Sequence, residues 1–386
     1  MSTSDTPVGT GEDTQQERYE REDALPSRET RLGKLIYVLG VIIAAGNIVF
    51  LYFRPMLASK YTNLHLMGAF LVFFLLSVYE HRPISEWGLR KRVIMSLFGL
   101  GTLAGLVGTG YVHVMHDVLS YERYGSYLLP DYVAAALLVV AVLIATQRAY
   151  GWIIASVGIA ALLFAKFGPY FPSLLNHAGM TNQRILEIAA LNFTGVYHTI
   201  LQIGATWIFV FVIWAGIVEA FGGLDSFMDI GFLVGKRFKS GIAQTAVVSS
   251  MIMGSISGSP MANIVVTGSF TIPMMKDRGL DSNTAAAIET VASTGGMILP
   301  PIMGSVAFLM VSFLGVSYGH IILAGALPAI LFYASIVVSV HILVLKSDID
   351  MSVDRDIDTQ QTAKYFTPVL LSVLVLIYLL IIVRLG

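Results

Sequence analysis

The sequence of 386 residues contains no cysteine, which excludes disulfides, thiol catalysis and thiolate metal sites. Charge is scarce as well. Asp, Glu, Lys and Arg make up 13% of the residues against 55% hydrophobic ones, a balance far from that of soluble domains. The formal net charge of −1 offers no electrostatic footprint for nucleic acid. There is no Walker or dinucleotide-binding motif, so a pump built on this chain needs a separate motor subunit. A serine-hydrolase elbow is missing too: Ser257 precedes Gly258, but no Gly-x-Ser-x-Gly is centred on it, and the histidines that follow are His320 and His341, both near membrane edges.

What is present is apolar sequence in blocks. Stretches near 33–53, 62–79, 93–116, 131–147, 150–167 and 197–221 precede a run at about 242–272, a region 283–299 with 302–315, and blocks at 321–345 and 366–384. A helix of about 20 residues crosses the roughly 30 Å hydrocarbon core, so this spacing predicts a membrane protein. Residues 1–30 carry eight acidic side chains against three arginines and have no apolar core. They are expected to be a disordered tail and not a cleaved signal peptide.

The most informative block is the run 241–275, which has no charge yet reads Gly254-Ser-Ile-Ser-Gly-Ser-Pro260 at its centre. A single helix of that length would be about 52 Å long, too long for one crossing. Glycine, serine and proline would also break it near the middle. Lys236, Arg237 and Lys239 precede the run, and Lys276 and Arg278 follow it. Positive residues favour the cytoplasmic side, so both flanks are expected on one face, with a re-entrant hairpin between them. Irregular backbone at that depth survives only inside protein or along a wet cavity, and transporters use such breaks to hold ions and substrates. With the N-terminus inside and 242–272 taken as a hairpin, sixteen Lys and Arg fall in inner connections and six in outer ones.

The hairpin tip offers Ser255, Ser257, Ser259, Asn263 and backbone carbonyls, oxygen ligands suited to a hard cation such as sodium. The stretch Ser293-Thr-Gly-Gly-Met-Ile-Leu-Pro-Pro301 offers the same chemistry where glycine and proline break a second span. Helix halves meeting there would point partially positive N-termini at an anion. Either break alone is equally well a packing kink; together they favour a site. Glu289 and Glu219 are intramembrane or interfacial carboxylates. Glu219 lies close enough to a helix end to be interfacial, whereas Glu289 stays open between a functional and a hydrogen-bonded structural group. His113 and His116 have i, i+3 spacing that suits a metal, but no third ligand follows, so a structural role is favoured. The glycines and alanines at 99–110 are expected to permit close helix packing.

Several of these segments carry a family resemblance. Phe221-Gly-Gly223, Gly254-Ser-Ile-Ser-Gly-Ser-Pro-Met-Ala-Asn263, Thr267-Gly-Ser-Phe-Thr-Ile-Pro273, Ala292-Ser-Thr-Gly-Gly296 and Pro300-Pro-Ile-Met-Gly304 resemble the fused membrane permease of TRAP transporters, TAXI branch. Gln147-Arg-Ala-Tyr-Gly151 and Phe167-Gly-Pro-Tyr-Phe-Pro172 fit as well. The resemblance implies sodium-driven, elevator-type uptake of small organic anions such as carboxylates, delivered by a soluble extracytoplasmic binding protein. It carries an ion and substrate site, including a sodium site, over to Ser257, Gly258, Ser259, Asn263, Ser293, Thr294, Gly295 and Gly296. Three departures stand out: Ile144 replaces a common Glu, Met297 replaces a frequent Gln, and a second hairpin and broken helix are not found.

The expected fold is all-α and polytopic, with about nine transmembrane spans, one re-entrant helical hairpin and a broken helix. The expected organisation is a disordered cytoplasmic tail at 1–30 and a small-subunit-like membrane region at 31–130. The first half of the permease follows at 131–345 with its hairpin at 242–272, then a cytoplasmic loop and final span at 346–386. The chain is expected in the inner or plasma membrane, not to be an enzyme, and to need no cofactor beyond Na+ as the coupling ion. Its expected partners are the binding protein, membrane lipid and, if the permease is split, a second permease half. The alternatives are a truncated or split half-permease that does not transport by itself, and a channel or intramembrane enzyme.

Overall fold

The computed structural model describes residues 30–81, 84, 87–192, 195–354 and 356–381. The acidic segment 1–29, Arg82 and Arg355 of the charge count, and Arg384 at the end of the last expected span lie outside the described residues. The helices are α1 Arg31–Phe53, α2 Ala58–Glu80, α3 Leu89–Val114, α4 Leu129–Phe167, α5 Phe209–Ala220, α6 Gly223–Gly235, α7 Gly241–Ser257, α8 Pro260–Asp277, α9 Ser282–Gly295, α10 Ser305–Leu314, α11 Tyr318–Ser347 and α12 Thr359–Ile381. No strand occurs among the described residues. Among the described residues seven helical stretches are long and apolar enough to cross a membrane, and α7 and α10 are shorter apolar helices. The chain is thus an all-α, polytopic membrane protein.

The difference between seven stretches and nine expected spans lies in two broken elements. The first is α4. It contains Gly151 with φ 78° and ψ −174°, a backbone state that an L side chain rarely adopts. A Cβ built on Gly158 would lie 3.1 Å from Leu143 Cδ2. On a straight helix those residues would be about 22 Å apart, so the two arms fold back on each other at Gly151. The second element is the pair α9 and α10, separated by the non-helical residues 296–304.

The chain divides into two compact units, one up to Ala205 and one from Thr206. In the first, Phe70, Val112, Leu119, Leu138, Leu191 and Tyr197 form the core. Glycines on α3 set its packing distances. A Cβ on Gly105 would meet the Phe70 ring at 2.9 Å, and one on Gly108 would meet the Ala134 carbonyl oxygen at 2.9 Å. The expected role of the 99–110 repeats is what the helix contacts show. Buried polar groups are paired across helices: Asn63 donates to the Thr109 carbonyl at 2.8 Å and accepts from the Tyr197 hydroxyl at 2.8 Å. Satisfying both ends of that amide fixes the segment that carries Tyr197 against α2.

In the second unit α7 is the central helix. Every residue from Gly241 to Ser250 is buried, against neighbours that include Ala285, Ile288, Ala292, Tyr333, Ile336 and Val340. A helix covered by protein on all sides needs no charged face. That burial accounts for the absence of charge over α7. Exposed apolar side chains concentrate elsewhere, as on α11 with Leu323, Leu327, Ile330 and Leu331.

Candidate functional site

Two interruptions meet in the second unit. The first is the turn between α7 and α8. Gly258 ends α7 with φ 60°, and Ser259 caps α8 by accepting from the Ala262 amide at 3.3 Å. Pro260 follows at the first helical position, where its missing N–H costs nothing and its fixed φ favours the start. Serine as cap followed by proline is the local reason why the chain turns here. The two helices pack against each other as a hairpin, with boundaries close to the expected 242–272 and a second arm that continues to Asp277.

The second interruption is wider than the sequence indicates, running over 296–304 between α9 and α10. Here glycine meets glycine. A Cβ on Gly254 would lie 2.7 Å from Gly296 Cα, and one on Gly296 would lie 2.5 Å from Gly254 Cα. A Cβ on Gly258 would lie 1.9 Å from the Met303 carbonyl oxygen. The Ile302 amide donates to the Ser255 carbonyl at 3.2 Å. The break therefore lies directly against the hairpin tip, backbone on backbone. Its far side is tied down by Tyr318, whose hydroxyl donates to the carbonyls of Pro301 at 3.2 Å and of Ile302.

The residues expected to form the site fall into three groups. Ser257, Gly258 and Ser259 form the half-buried turn, where the Ser259 amide donates to Ser257 Oγ at 3.4 Å. Asn263 is fully buried one turn into α8, and its Nδ2 donates to the Ser250 carbonyl at 2.8 Å. Gly296 lies against Gly254, whereas a Cβ on Gly295 would strike the rings of Phe332 and Tyr333. Thr294 does not join them: it is exposed, and its hydroxyl donates to the Thr290 carbonyl of its own helix at 2.7 Å. Ser293 points into the interior and donates to Glu289 at 2.9 Å.

Glu289 is the residue around which this interior is organised. It is 0% exposed. Its Oε1 accepts from the hydroxyls of Ser250 at 2.7 Å, Thr267 at 2.6 Å and Ser293 at 2.9 Å. Its Oε2 accepts from Thr271 at 2.6 Å. Four hydroxyls thus converge on the two oxygens of one carboxyl group. Gly268 makes room for it, since a Cβ there would approach Glu289 Cγ at 3.0 Å. Ser250, Thr267 and Thr271 escaped the reading of the sequence because small hydroxyl residues on apolar helices also serve packing. The signal that could have found two of them is the placement of Thr267 and Thr271 four residues apart on one helical face, as Glu289 and Ser293 are on theirs.

Outside this cluster the candidates are structural. Glu219 is exposed in the last turn of α5. His116 has Nε2 2.7 Å from Ser59 Oγ and Nδ1 3.2 Å from Asp117 Oδ1, so both ring nitrogens are occupied by protein. Among the described residues no group of three His, Asp or Glu could hold a metal ion.

Comparison with known proteins places this architecture. The family described as the tripartite ATP-independent periplasmic transporter, DctM component, matches residues 137–386. A C4-dicarboxylate TRAP transporter large permease protein of Vibrio cholerae is 27% identical over 188 residues, 48% of this chain and 38% of that protein. A 2,3-diketo-L-gulonate TRAP transporter large permease protein of Escherichia coli is 30% identical over 132 residues, 33% of this chain and 30% of that protein. A putative TRAP transporter large permease protein of Haemophilus influenzae is 33% identical over 123 residues, 31% of this chain and 28% of that protein. The matched part of the chain thus spans between about a quarter and two fifths of these relatives. The family match covers well over half of the chain and takes in the hairpin, the broken helix and Glu289. The chain belongs to the DctM family of TRAP transporter permeases, membrane transport components and not enzymes.

Proposed function

We propose that this chain is the membrane component of a sodium-driven secondary transporter of the TAXI branch, importing small organic anions delivered by an extracytoplasmic binding protein. The observation that carries the reading is the apposition of the hairpin turn and the break at 296–304, where Gly254 and Gly296 bring two irregular backbones together. Ser257, Ser259 and Asn263 supply oxygen donors beside that crossing, the donor type that a hard cation takes. Helix α8 starts at the turn, so its partially positive N-terminus faces the same region and favours an anion. The relatives named above for C4-dicarboxylate and 2,3-diketo-L-gulonate transport small organic anions by their names, which supports the carboxylate class. In this reading the hairpin re-enters the membrane of the cell from the cytoplasmic side, the N-terminus is cytoplasmic, and the second unit carries the site in an elevator-type motion.

The test is uptake in proteoliposomes with a cognate binding protein. Asn263→Ala and Ser257→Ala protein that still inserts is expected to lose sodium dependence. Unchanged sodium dependence in both variants would remove the site assignment. A second reading is favoured by the coverage of the relatives: the chain acts as one half of a permease and transports only with a second half. Co-expression with a chain carrying a second hairpin, and uptake that appears only then, distinguishes it.

A further inference from the structure

We propose that Glu289 is a positioning residue, a clasp that binds both arms of the hairpin to α9 and presets Asn263 at the turn. The proposal rests on the transporter reading for the role of Asn263, but the clasp itself stands on separate geometry. One carboxylate joins three helices, through Ser250 on α7, Thr267 and Thr271 on α8, and Ser293 on its own helix. No ion pair to Glu289 occurs among the described residues. Its oxygens are met by hydroxyl groups instead, and a buried carboxyl group is tolerated only when its polar atoms are paired in this way.

The connection to the turn runs through Thr267. Its hydroxyl lies 2.6 Å from Glu289 Oε1 and 3.3 Å from Asn263 Oδ1. Asn263 is held on its other side by the Ser250 carbonyl, and Ser250 is itself a partner of Glu289. Two residues that touch the Asn263 amide, Ser250 through its carbonyl and Thr267 through its hydroxyl, therefore also bond Glu289, the single Thr267 proton serving one acceptor at a time. The clasp can also be opened without stranding its donors. Thr267 and Thr271 have fallback acceptors in their own helix, the carbonyls of Asn263 at 2.8 Å and of Thr267 at 3.0 Å. Replacing the carboxyl group by an amide weakens the links between helices, while Thr267 and Thr271 keep acceptors in their own helix, so folding survives where positioning does not.

The experiment is hydrogen exchange on the whole chain in lipid nanodiscs, with thermal unfolding measured across a sodium chloride series against potassium chloride. Glu289→Gln is expected to raise exchange about tenfold in both 260–277 and 282–295 while leaving 318–347 unchanged. Thr271→Val, which removes the partner of Oε2, is expected to raise it about threefold, and Thr271→Ser to restore it. The sodium concentration giving half-maximal stabilisation is expected to rise about tenfold in Glu289→Gln. Wild-type exchange in both Glu289→Gln and Thr271→Val overturns the clasp. So does loss of the sodium response in Glu289→Gln with Thr271→Val unchanged in exchange and response, which would make the carboxylate an ion ligand. If wild-type protein shows no sodium response at all, the transporter reading fails and the exchange pattern alone decides the clasp.

Discussion

Two regions of this molecule are rich in glycine, and they use it differently. On α3, Gly101 and Gly105 face the side chains of Ile144 and Phe70, and Gly108 faces the carbonyl of Ala134. At the hairpin, Gly254 and Gly296 face each other's backbone, and Gly258 faces the carbonyl of Met303. In the first region glycine shortens the distance between regular helices, one of the general ways in which membrane helices associate. In the second it lets two interrupted backbones cross beside serine, asparagine and a buried carboxylate. A glycine against a side chain tolerates enlargement, because the side chain can move. A glycine against backbone does not. The composition of the two segments is similar, so it is the partner atom, side chain or backbone, that decides what each glycine permits, and Gly108 on α3 belongs with the backbone group.

Substitutions to alanine can break this comparison. The largest loss is expected for Gly258→Ala, where a positive φ and the Met303 carbonyl oxygen, which the added Cβ would strike, act together. A destabilisation of about 4 kcal/mol or more, read as a lowered denaturation midpoint in detergent, would follow. Gly108→Ala and Gly101→Ala sharpen the contrast within α3. Gly108 meets backbone at 2.9 Å and Gly101 meets the Ile144 side chain at 2.9 Å. The first should cost about 2 kcal/mol and the second clearly less, with Ile144→Val relieving only the second. Equal losses at both positions would mean that the partner atom does not matter. The smallest effect is expected for Thr294→Ala, within about 0.5 kcal/mol, because the side chain is exposed and bonds only within its helix. A large loss of sodium-dependent uptake in Thr294→Ala would return that residue to the site from which its orientation now separates it.

The sequence made the outline of the fold readable because its signals are local. Ser259 and Pro260 mark a helix start, Gly295, Gly296, Pro300 and Pro301 mark an interruption, and the apolar blocks give the spans. The gap between the blocks at 131–147 and 150–167 falls within a few residues of Gly151, where the backbone in fact turns back. The interior of the site was legible at Glu289, Ser293 and Asn263, but the other partners of the carboxyl group are not local. Ser250 is 39 positions away and Thr267 is 22, and nothing in a hydroxyl residue announces that it faces a carboxylate. The extent of the break at 296–304 was also hidden, since Met297, Ile298 and Leu299 are ordinary apolar residues held out of a helix by the backbone contacts around them. Thr294 was misplaced for the opposite reason. It sits within the motif, but the helix through Gly295 turns it outward.

The turn at Gly151 has a consequence for how the chain enters its membrane. Its two arms are joined by almost no connecting chain, and Arg148 stands just before the turn. A ribosome-bound chain cannot lodge the first arm as a finished crossing and then begin the second from a loop, because there is no loop to begin from. Both arms have to leave the insertion machinery as one closed pair. The unit of insertion in this stretch is the whole segment 129–167, and a chain interrupted at residue 150 would hold an arm with nothing to close against.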